Sequence, residues 1–236
     1  LTSEFLTGPL PTQSSSGEVG GWASFIGNYS TQYLVSFDQS GSGAAPNVTY
    51  SIDGGSPIVD AVPFTVWVND SSSLSYSYDS TVPGSAGTQY VLIDTSPSSP
   101  QTITAALDVT GTYRTQYYVT FAQSGLDGSA SGTVLTVNGT VKTYGDMPFS
   151  EWVNDTDVLN FSFENTVSSN TVDKQFILSG VDASSPLTVT GAQTITGTYW
   201  IQWYVAFDQS GLDGTATGNV VTVNGSAITY SSLPYS

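Results

Sequence analysis

Apolar and polar residues alternate along most of the chain, which is the pattern of β-strands with one buried face. The stretch GTYRTQYYVTFAQSG, which begins at Gly111, is typical: Gln116 and Tyr118 fall on the outward face. Its inward set is Tyr113, Tyr117, Val119 and Phe121. A continuous apolar run, Phe176, Ile177 and Leu178, predicts an interior strand buried on both faces. No stretch has the apolar period of a helix, so no helix is predicted.

Tight turns punctuate these strands. Asn138-Gly139 and Asn224-Gly225 each follow an alternating apolar stretch, and Asp53-Gly54 does the same. Asn-Gly and Asp-Gly are strong hairpin signals because a type I′ turn needs positive φ at both central residues. We therefore expect hairpins at all three places.

The pattern repeats along the chain. The segments GNYSTQYLVSFDQSG, GTYRTQYYVTFAQSG and GTYWIQWYVAFDQSG begin at Gly27, Gly111 and Gly197, which are 84 and 86 residues apart. We call them the starts of copy 1, copy 2 and copy 3. FTVWVND in copy 1 likewise matches FSEWVND in copy 2. About seven short strands per copy predict an all-β fold of tandem immunoglobulin-like β-sandwich modules of about 85 residues.

The repeat divides the chain into an N-terminal extension, two full modules and a half module, at residues 1–26, 27–110, 111–196 and 197–236. Another phase, with divisions 1–65, 66–150 and 151–236, fits equally well. Either phase leaves one incomplete module. A half-sandwich exposes its apolar face and an open strand edge, which favours pairing with another strand. We expect a strand from a neighbouring subunit to complete it.

Composition narrows the choice of partners. The chain has 236 residues, of which 39% are hydrophobic, which is enough for a core. Nineteen acidic residues oppose only three basic ones, Arg114, Lys142 and Lys174, for a net charge of −16. Binding to nucleic acid or to an anionic membrane surface needs clustered Lys and Arg, so neither is expected. No apolar stretch is long enough for a membrane-spanning segment.

Catalytic chemistry has little to build on. The chain lacks Cys and His, which removes the usual nucleophile–base pairs. Asp38 and Asp208 share a repeat position with Ala122, so this carboxylate is interpreted as a surface group. The segment DQSGLDG, from Asp208, lacks the ligand spacing of a calcium loop and is interpreted as a turn. We predict no enzyme activity, no cofactor and no metal site.

Four tryptophans lie in recurring strands: Trp67, Trp152, Trp200 and Trp203. A carbohydrate-binding platform is one reading of such residues. Packing in the core or between modules is the other, and we favour it because each tryptophan belongs to a strand that recurs.

Seven Asn-X-Ser/Thr sequons occur, at Asn28, Asn47, Asn69, Asn138, Asn154, Asn160 and Asn224. Asn138 and Asn224 fall on hairpin tips, and Asn160 falls on an outward face. We therefore predict N-linked glycans and an extracellular, cell-surface location. The chain starts with Leu1 rather than Met, which we interpret as a mature form after removal of a signal peptide.

The recurring segments TGTYRTQYYVTF, GTVLTVNG, WVND and ITGTY resemble tandem β-sandwich repeats of large archaeal cell-surface proteins, over residues 27–236. The chain length, the sequons and the few lysines also resemble the archaeal thread. That is an extracellular glycosylated filament whose subunits join head to tail by donor-strand complementation. The resemblance implies a structural filament subunit that serves adhesion or biofilm formation. Its partners would be identical subunits and N-linked glycans.

The leading segment is the expected donor strand. Its polymerisation residues would be Leu1, Ser3, Phe5, Leu6 and Leu10. Because Pro9 and Pro11 cannot donate to a ladder, the strand is expected to end near Gly8. The alternative function is a glycan-binding adhesin or a surface-layer stalk fragment, in which the missing half of copy 3 follows in the same chain.

Overall fold

The computed structural model describes residues 2–6 and 29–236, of which residues 2–6 are described by their backbone. These residues form an all-β fold of several sheets, consistent with a β-sandwich. Two 3₁₀ turns, Tyr144–Asp146 and Tyr230–Ser232, are the helical elements of this described part. The predicted all-β class is therefore confirmed.

The strands are short, except for three long ones that open the copies of the repeat. In the first half of the chain the strands are β1 (Thr2–Leu6), β2 (Tyr29–Ser40), β3 (Asn47–Ile52), β4 (Ile58–Ala61), β5 (Phe64–Asn69), β6 (Ser73–Tyr78), β7 (Thr81–Pro83), β8 (Thr88–Ser96), β9 (Gln101–Thr102) and β10 (Leu107–Ser124). In the second half they are β11 (Ala130–Ser131), β12 (Thr133–Val137), β13 (Thr140–Thr143), β14 (Phe149–Asn154), β15 (Val158–Leu159), β16 (Phe161–Phe163), β17 (Thr166–Ser169), β18 (Lys174–Val181), β19 (Leu187–Thr188), β20 (Gln193–Trp203), β21 (Asn219–Val223) and β22 (Ser226–Thr229). The long strands are β2, β10 and β20.

The chain divides into two compact units. The first contains Leu1–Tyr118, Trp152–Asp155 and Thr190–Ala192. The second contains Val119–Glu151, Thr156–Val189 and Gln193–Ser236. Strand β10 contributes residues to both units. The module boundaries at residues 27, 111 and 197 stay predictions.

In the first unit, one sheet has the antiparallel order β4-β3-β6-β9. Strand β2 pairs antiparallel with β5 and parallel with residues 107–112 of β10, which also pairs with β8. Strict alternation in β6 explains the core, because every second residue of SLSYSY is buried. The largest fully buried side chains of this unit are Phe37, Leu74, Ile103, Val35, Val48, Val68 and Val109.

In the second unit, β17, β18 and β20 are consecutive antiparallel neighbours, and residues 119–124 of β10 run parallel to β20. A separate sheet has the order β13-β12-β16. The core side chains include Val119, Phe121, Leu135, Phe161, Phe163, Phe176 and Ile195. Phe121 contacts Phe161 edge to face at 5.3 Å between ring centroids, a favoured arrangement for aromatic pairs.

The three predicted turns have the backbone that their sequences require. φ is +46° at Asn138 and +82° at Gly139, and +50° at Asn224 and +82° at Gly225. Both pairs join two adjacent antiparallel strands as two-residue hairpins. Asp53 and Gly54 also have positive φ, of +51° and +71°, in a longer loop between β3 and β4.

The predicted inward register of copy 2 is confirmed at Tyr113, Val119, Phe121 and Tyr118, whereas Tyr117, predicted inward, and Gln116, predicted outward, are both half-buried. Val119 and Phe121 are fully buried, whereas Tyr118 is exposed. The interior position of β18 is also confirmed, because the strand pairs with β17 and β20. Its burial on both faces is not: Phe176 is buried, but Ile177 and Leu178 are half-buried. Of this run only Phe176 is fully buried, so the core covers the strand mainly on one face.

Replacing Phe121 with Ala should lower the free energy of unfolding by about 3–5 kcal/mol, because the ring is fully buried and leaves a cavity. Urea unfolding monitored by circular dichroism measures this change. Phe207→Ala is the matched control, since Phe207 holds the same repeat position in copy 3 and is only half-buried. Equal losses in the two variants would contradict the core assignment.

Candidate functional site

The tyrosine of the repeated Gly-Thr-Tyr sequence forms a hydrogen bond to the middle of the preceding copy. The Tyr113 hydroxyl donates to the Asp79 carbonyl (2.7 Å), and the Tyr199 hydroxyl donates to the Glu164 carbonyl (3.1 Å). Both tyrosines are 4% exposed. Burial raises the pKa of each to about 12, so both remain protonated donors at any ordinary pH.

The glycine of the same sequence makes room for an aromatic ring. A Cβ on Gly111 would lie 2.7 Å from the Tyr78 ring, and one on Gly197 would lie 2.5 Å from the Phe163 ring. Such distances are too short for any real Cβ, so glycine is required. In copy 1 the corresponding Tyr29 is 66% exposed. The anchor that copies 2 and 3 share is therefore not buried in copy 1.

Copy 3 differs from the others at its first strand. Val35 and Val119 hold one repeat position in copies 1 and 2 and are 0% exposed, whereas Val205 holds the same position in copy 3 and is 57% exposed. Its neighbours Trp203 and Tyr204 are exposed as well. An apolar face that is core in two copies is thus accessible to solvent in the third.

The cause lies in strand pairing. Residues 32–37 of β2 pair with the whole of β5, and β14 pairs with β10. In copy 3 the corresponding pairing has one rung, in which Phe207 and Tyr235 exchange backbone hydrogen bonds of 2.8 and 2.9 Å. No strand of the described chain continues this ladder along residues 202–206. We call this side of residues 202–206 the open edge.

A groove of about 900 Å³ is lined by residues 169–175 at the β17–β18 hairpin, by residues 202–205, and by Asn224 and Ser236. We call it the copy 3 groove; its lining residues include Lys174, Gln175, Gln202, Trp203, Tyr204, Val205 and Ser236. The other edge of the same strand is occupied. There β18 pairs with β20, and the Tyr204 amide donates to the Asp173 carbonyl (2.8 Å). One edge of the strand is therefore paired and the other is open.

A buried lysine stabilises the wall of the groove. The Lys174 side chain is 8% exposed, and its Nζ lies 2.5 Å from Asp127 Oδ2 and 3.1 Å from Ser129 Oγ. It also lies over the ring of Phe176, 4.8 Å from the centroid. The hydrogen bond from Lys174, followed by those from Ser129, lowers the pKa of Asp127 to about 2. The ion pair therefore persists in acid.

The expected polymerisation residues fall in or near β1. Ser3, Phe5 and Leu6 lie in this strand, which pairs antiparallel with residues 29–33 of β2 in the same chain. Leu1 and Leu10 lie outside the described residues. Exchange of this segment between subunits stays a prediction.

Strand β1 has counterparts in the other copies. Residues 88–92 of β8 make the same pairing on β10, and residues 174–178 of β18 make it on β20. The three sequences, TSEFL, TQYVL and KQFIL, align without a gap. The leading segment therefore has the place of a strand that ends a repeat.

The sequons lie mostly on the surface. Asn47, Asn69, Asn138, Asn160 and Asn224 are exposed, Asn154 is half-buried, and Asn28 lies outside the described residues. Asn138 Oδ1 accepts the backbone N–H of Asn160 (3.0 Å), so these two predicted sites are neighbours.

The tryptophans are less buried than expected. Trp67 and Trp152 are 37% and 40% exposed, and Trp200 and Trp203 are more exposed still. Core packing is therefore wrong for these four. Tyr118 and Trp152 form a partly exposed aromatic pair with centroids 5.0 Å apart.

Residues 2–6 and 29–236 contain no group of three or more acidic, His or Cys side chains that could hold a metal ion. DQSGLDG forms a turn in which Asp213 Oδ1 accepts from Thr215 N and Oγ1. No helix in this part of the chain has the length and apolar character needed to cross a membrane.

Comparison with known proteins finds no matching family model and no significant match among curated proteins.

Asp127→Asn should lower the melting temperature at pH 7, because it leaves the buried Lys174 ammonium without its carboxylate. The folded-state pKa is depressed from 3.8 to about 2, so the ion pair stabilises the fold above pH 4. That contribution is lost as pH falls from about 4 through 2. The variant should lack this part of the pH dependence, as measured by thermal melts from pH 7 to pH 2. Asp213→Asn is the matched control, because this carboxylate bonds Thr215 and no lysine.

Asn138, Asn160 and Asn224 should carry N-linked glycans in native material, because all three side chains are exposed. Glycopeptide mass spectrometry tests this, and the half-buried Asn154 should show lower occupancy. Three unmodified sites would contradict the prediction.

Proposed function

We propose that the chain is a structural subunit of an extracellular, glycosylated filament at the cell surface, whose copies join head to tail. The proposed body of the subunit is a tandem array of immunoglobulin-like β-sandwich modules. The observation that carries the proposal is the open edge of copy 3, where Val205 is 57% exposed although copies 1 and 2 bury the same position completely.

Completion of copy 3 by a strand from a second subunit would supply both missing interactions. The backbone groups of residues 202–206 would gain ladder hydrogen bonds, and Trp203 and Val205 would be covered. Each apolar side chain buried in this way could contribute about 1.5–3 kcal/mol. Because the two contacting surfaces differ, the contact is heterologous and can propagate into an open polymer.

The exposed Tyr29 at the start of copy 1 supports the same head-to-tail assembly. Tyr29 is exposed, while Tyr113 and Tyr199 donate to carbonyls of the preceding copy. Under this proposal, copy 1 of one subunit follows copy 3 of another, as copy 2 follows copy 1.

In the proposed assembly, the leading segment is a strand that can be exchanged between subunits. Residues 2–6 hold on β2 the position that residues 174–178 hold on β20. That position is already filled in copy 3. An exchanged residue 1–10 segment would therefore pair with residues 29–33 of a neighbour, and a different strand would fill the copy 3 groove.

The extracellular location and the glycans are supported by composition and accessibility. Five exposed sequon asparagines are spread over the described chain. Only 9% of the residues are charged, so the surface consists largely of hydroxyl and amide groups. Adhesion or biofilm formation is the proposed role of the filament.

A second candidate function is a glycan-binding adhesin or a surface-layer stalk fragment. The partly exposed Tyr118–Trp152 pair favours it, because sugars stack on aromatic faces. Under this reading the missing strands of copy 3 follow in the same chain. The intact mass of the native protein distinguishes a subunit of this length from a longer chain.

Val205→Asp should abolish filament formation, because it places a carboxylate on the face that a second subunit would bury. Val59→Asp is the matched control, since Val59 is 59% exposed on β4 and does not line the groove. Sedimentation velocity and negative-stain electron microscopy measure assembly.

Filaments of normal length from Val205→Asp would overturn assembly through the open edge. Circular dichroism of both variants checks that each one is folded.

A further inference from the structure

We infer that the first sugar of an N-linked glycan at Asn69 stacks on the ring of Trp67. The inference rests on the glycosylation that the proposed function includes, and it gives a partner to a tryptophan that the core leaves partly exposed. Four observations carry it. The two side chains share one face of β5, a glutamine orients the Asn69 amide, the Trp67 ring has no aromatic neighbour in residues 29–236, and copy 2 covers the corresponding ring with a tyrosine.

Trp67 and Asn69 lie on the same outward face of β5. Burial alternates along this strand, so that Val68 is buried between the exposed Trp67 and Asn69. Side chains two residues apart on a strand project from the same face and are separated by about 6.5–7 Å. A sugar attached to the Asn69 side chain therefore begins beside the indole.

Gln32 orients the Asn69 side chain for this attachment. Gln32 Nε2 donates to Asn69 Oδ1 (2.9 Å) across the β2–β5 pair. The contact uses the amide oxygen, whereas an N-linked sugar is attached to the amide nitrogen, Nδ2. Within residues 2–6 and 29–236, β5 pairs with β2 alone, so Oδ1 is directed towards β2 and Nδ2 towards the other side of β5. Glycosylation leaves the hydrogen bond from Gln32 intact, because the oxygen is unchanged.

The sequon lies where the strand ends and the chain turns. Strand β5 ends at Asn69, and Ser71 has a φ of +66°. Both side chains are exposed. The backbone N–H of Ser71 donates to the Ile103 carbonyl (2.7 Å), which holds the turn in place. The attachment point is therefore accessible, and its position relative to Trp67 is fixed by the fold.

The ring of Trp67 offers a surface that a sugar can cover. It is 37% exposed, and its neighbour across the strand pair is the half-buried Leu34. The faces of a pyranose ring carry C–H groups, which pack against the electron-rich face of an aromatic ring. Covering the indole also removes apolar surface from water. Both effects favour the stacked position of a sugar that is already tethered beside the ring.

Copy 2 contains the same two residues in a different environment. Trp152 and Asn154 hold the places of Trp67 and Asn69. Tyr118 packs against Trp152 with ring centroids 5.0 Å apart, and Asn154 is half-buried. The ring in copy 2 thus already has an aromatic partner. The inference therefore applies to Asn69, and Trp152 serves as an internal control.

Hydroxyl-radical footprinting of the native glycosylated chain tests the stack, with oxidation of each tryptophan quantified by peptide mass spectrometry. Ser71→Ala is the test variant, because it removes the sequon and leaves Trp67, Asn69 and Gln32 in place. Oxidation of Trp67 should be about threefold slower in the parent glycoprotein than in Ser71→Ala, because the sugar covers one face of the ring. Oxidation of Trp152 should be equal in the two proteins.

Ser71→Thr is the matched control. It keeps the sequon and introduces the residue type of Thr156, which has the same φ of +66° at the corresponding position of copy 2. Glycopeptide masses should show sugar at Asn69 in the parent and in Ser71→Thr but not in Ser71→Ala. The control should retain the protection of Trp67. Equal oxidation of Trp67 in the parent and in Ser71→Ala would overturn the inference.

The same measurements separate this inference from the proposed function. If Asn138, Asn160 and Asn224 carry sugar and Asn69 does not, the stack is overturned and the proposed glycosylation stands. The same conclusion follows if Asn69 carries sugar and Trp67 is not protected. If no sequon of the native chain carries sugar, both are overturned.

Discussion

A β-strand is stabilised when its edges are paired and its apolar face is covered, and the strands that open copies 1 and 2 receive both from the segments before and after them. Strand β10 pairs with β8, which precedes it, and with β14, which follows it. The Tyr113 hydroxyl adds a bond to the carbonyl of Asp79 in the preceding copy. Because an unpaired buried backbone group costs about 1–3 kcal/mol, no copy is complete without segments outside it. In copy 3 the preceding strand β18 is paired, whereas the partner that corresponds to β14 is reduced to the single rung between Phe207 and Tyr235.

Hydrogen bonds to neutral groups replace most of the ion pairs of an ordinary protein. Tyr78, Tyr113 and Tyr199 each place a buried hydroxyl on a backbone carbonyl, and burial raises the pKa of each to about 12. The Asp127–Lys174 pair persists until the pH falls to the Asp127 pKa of about 2. These interactions keep one protonation state over a wide range of pH. Few core contacts therefore depend on the acidity of the surroundings.

Period-two alternation and Asn-Gly pairs were sufficient to predict the strands, the hairpins and the inward side of copy 2, because both signals are local. The exposure of Trp67 was also available from the sequence: Val68 faces inward, so its neighbour must face outward. Large aromatic size suggested burial, and alternation was the stronger constraint. The place of β1 was missed because TSEFL shares only its first and last residues with TQYVL. The distance of TSEFL from Tyr29 along the sequence was the signal that could have predicted this place. The orientation of Gln202 depends on Gln175, a contact between strands that no local pattern contains.

The positions of the three basic residues have a consequence for how the folded chain meets proteases. Arg114, Lys142 and Lys174 lie in β10, β13 and β18, each of which is paired in a sheet. A protease that cleaves after Lys or Arg must bind several residues as a separate extended chain, so each site requires local unfolding of a sheet before it can be cut. Enzymes of trypsin-like specificity thus find no ready cleavage site in the folded chain. The positions of its few basic residues therefore make the folded chain resistant to such digestion.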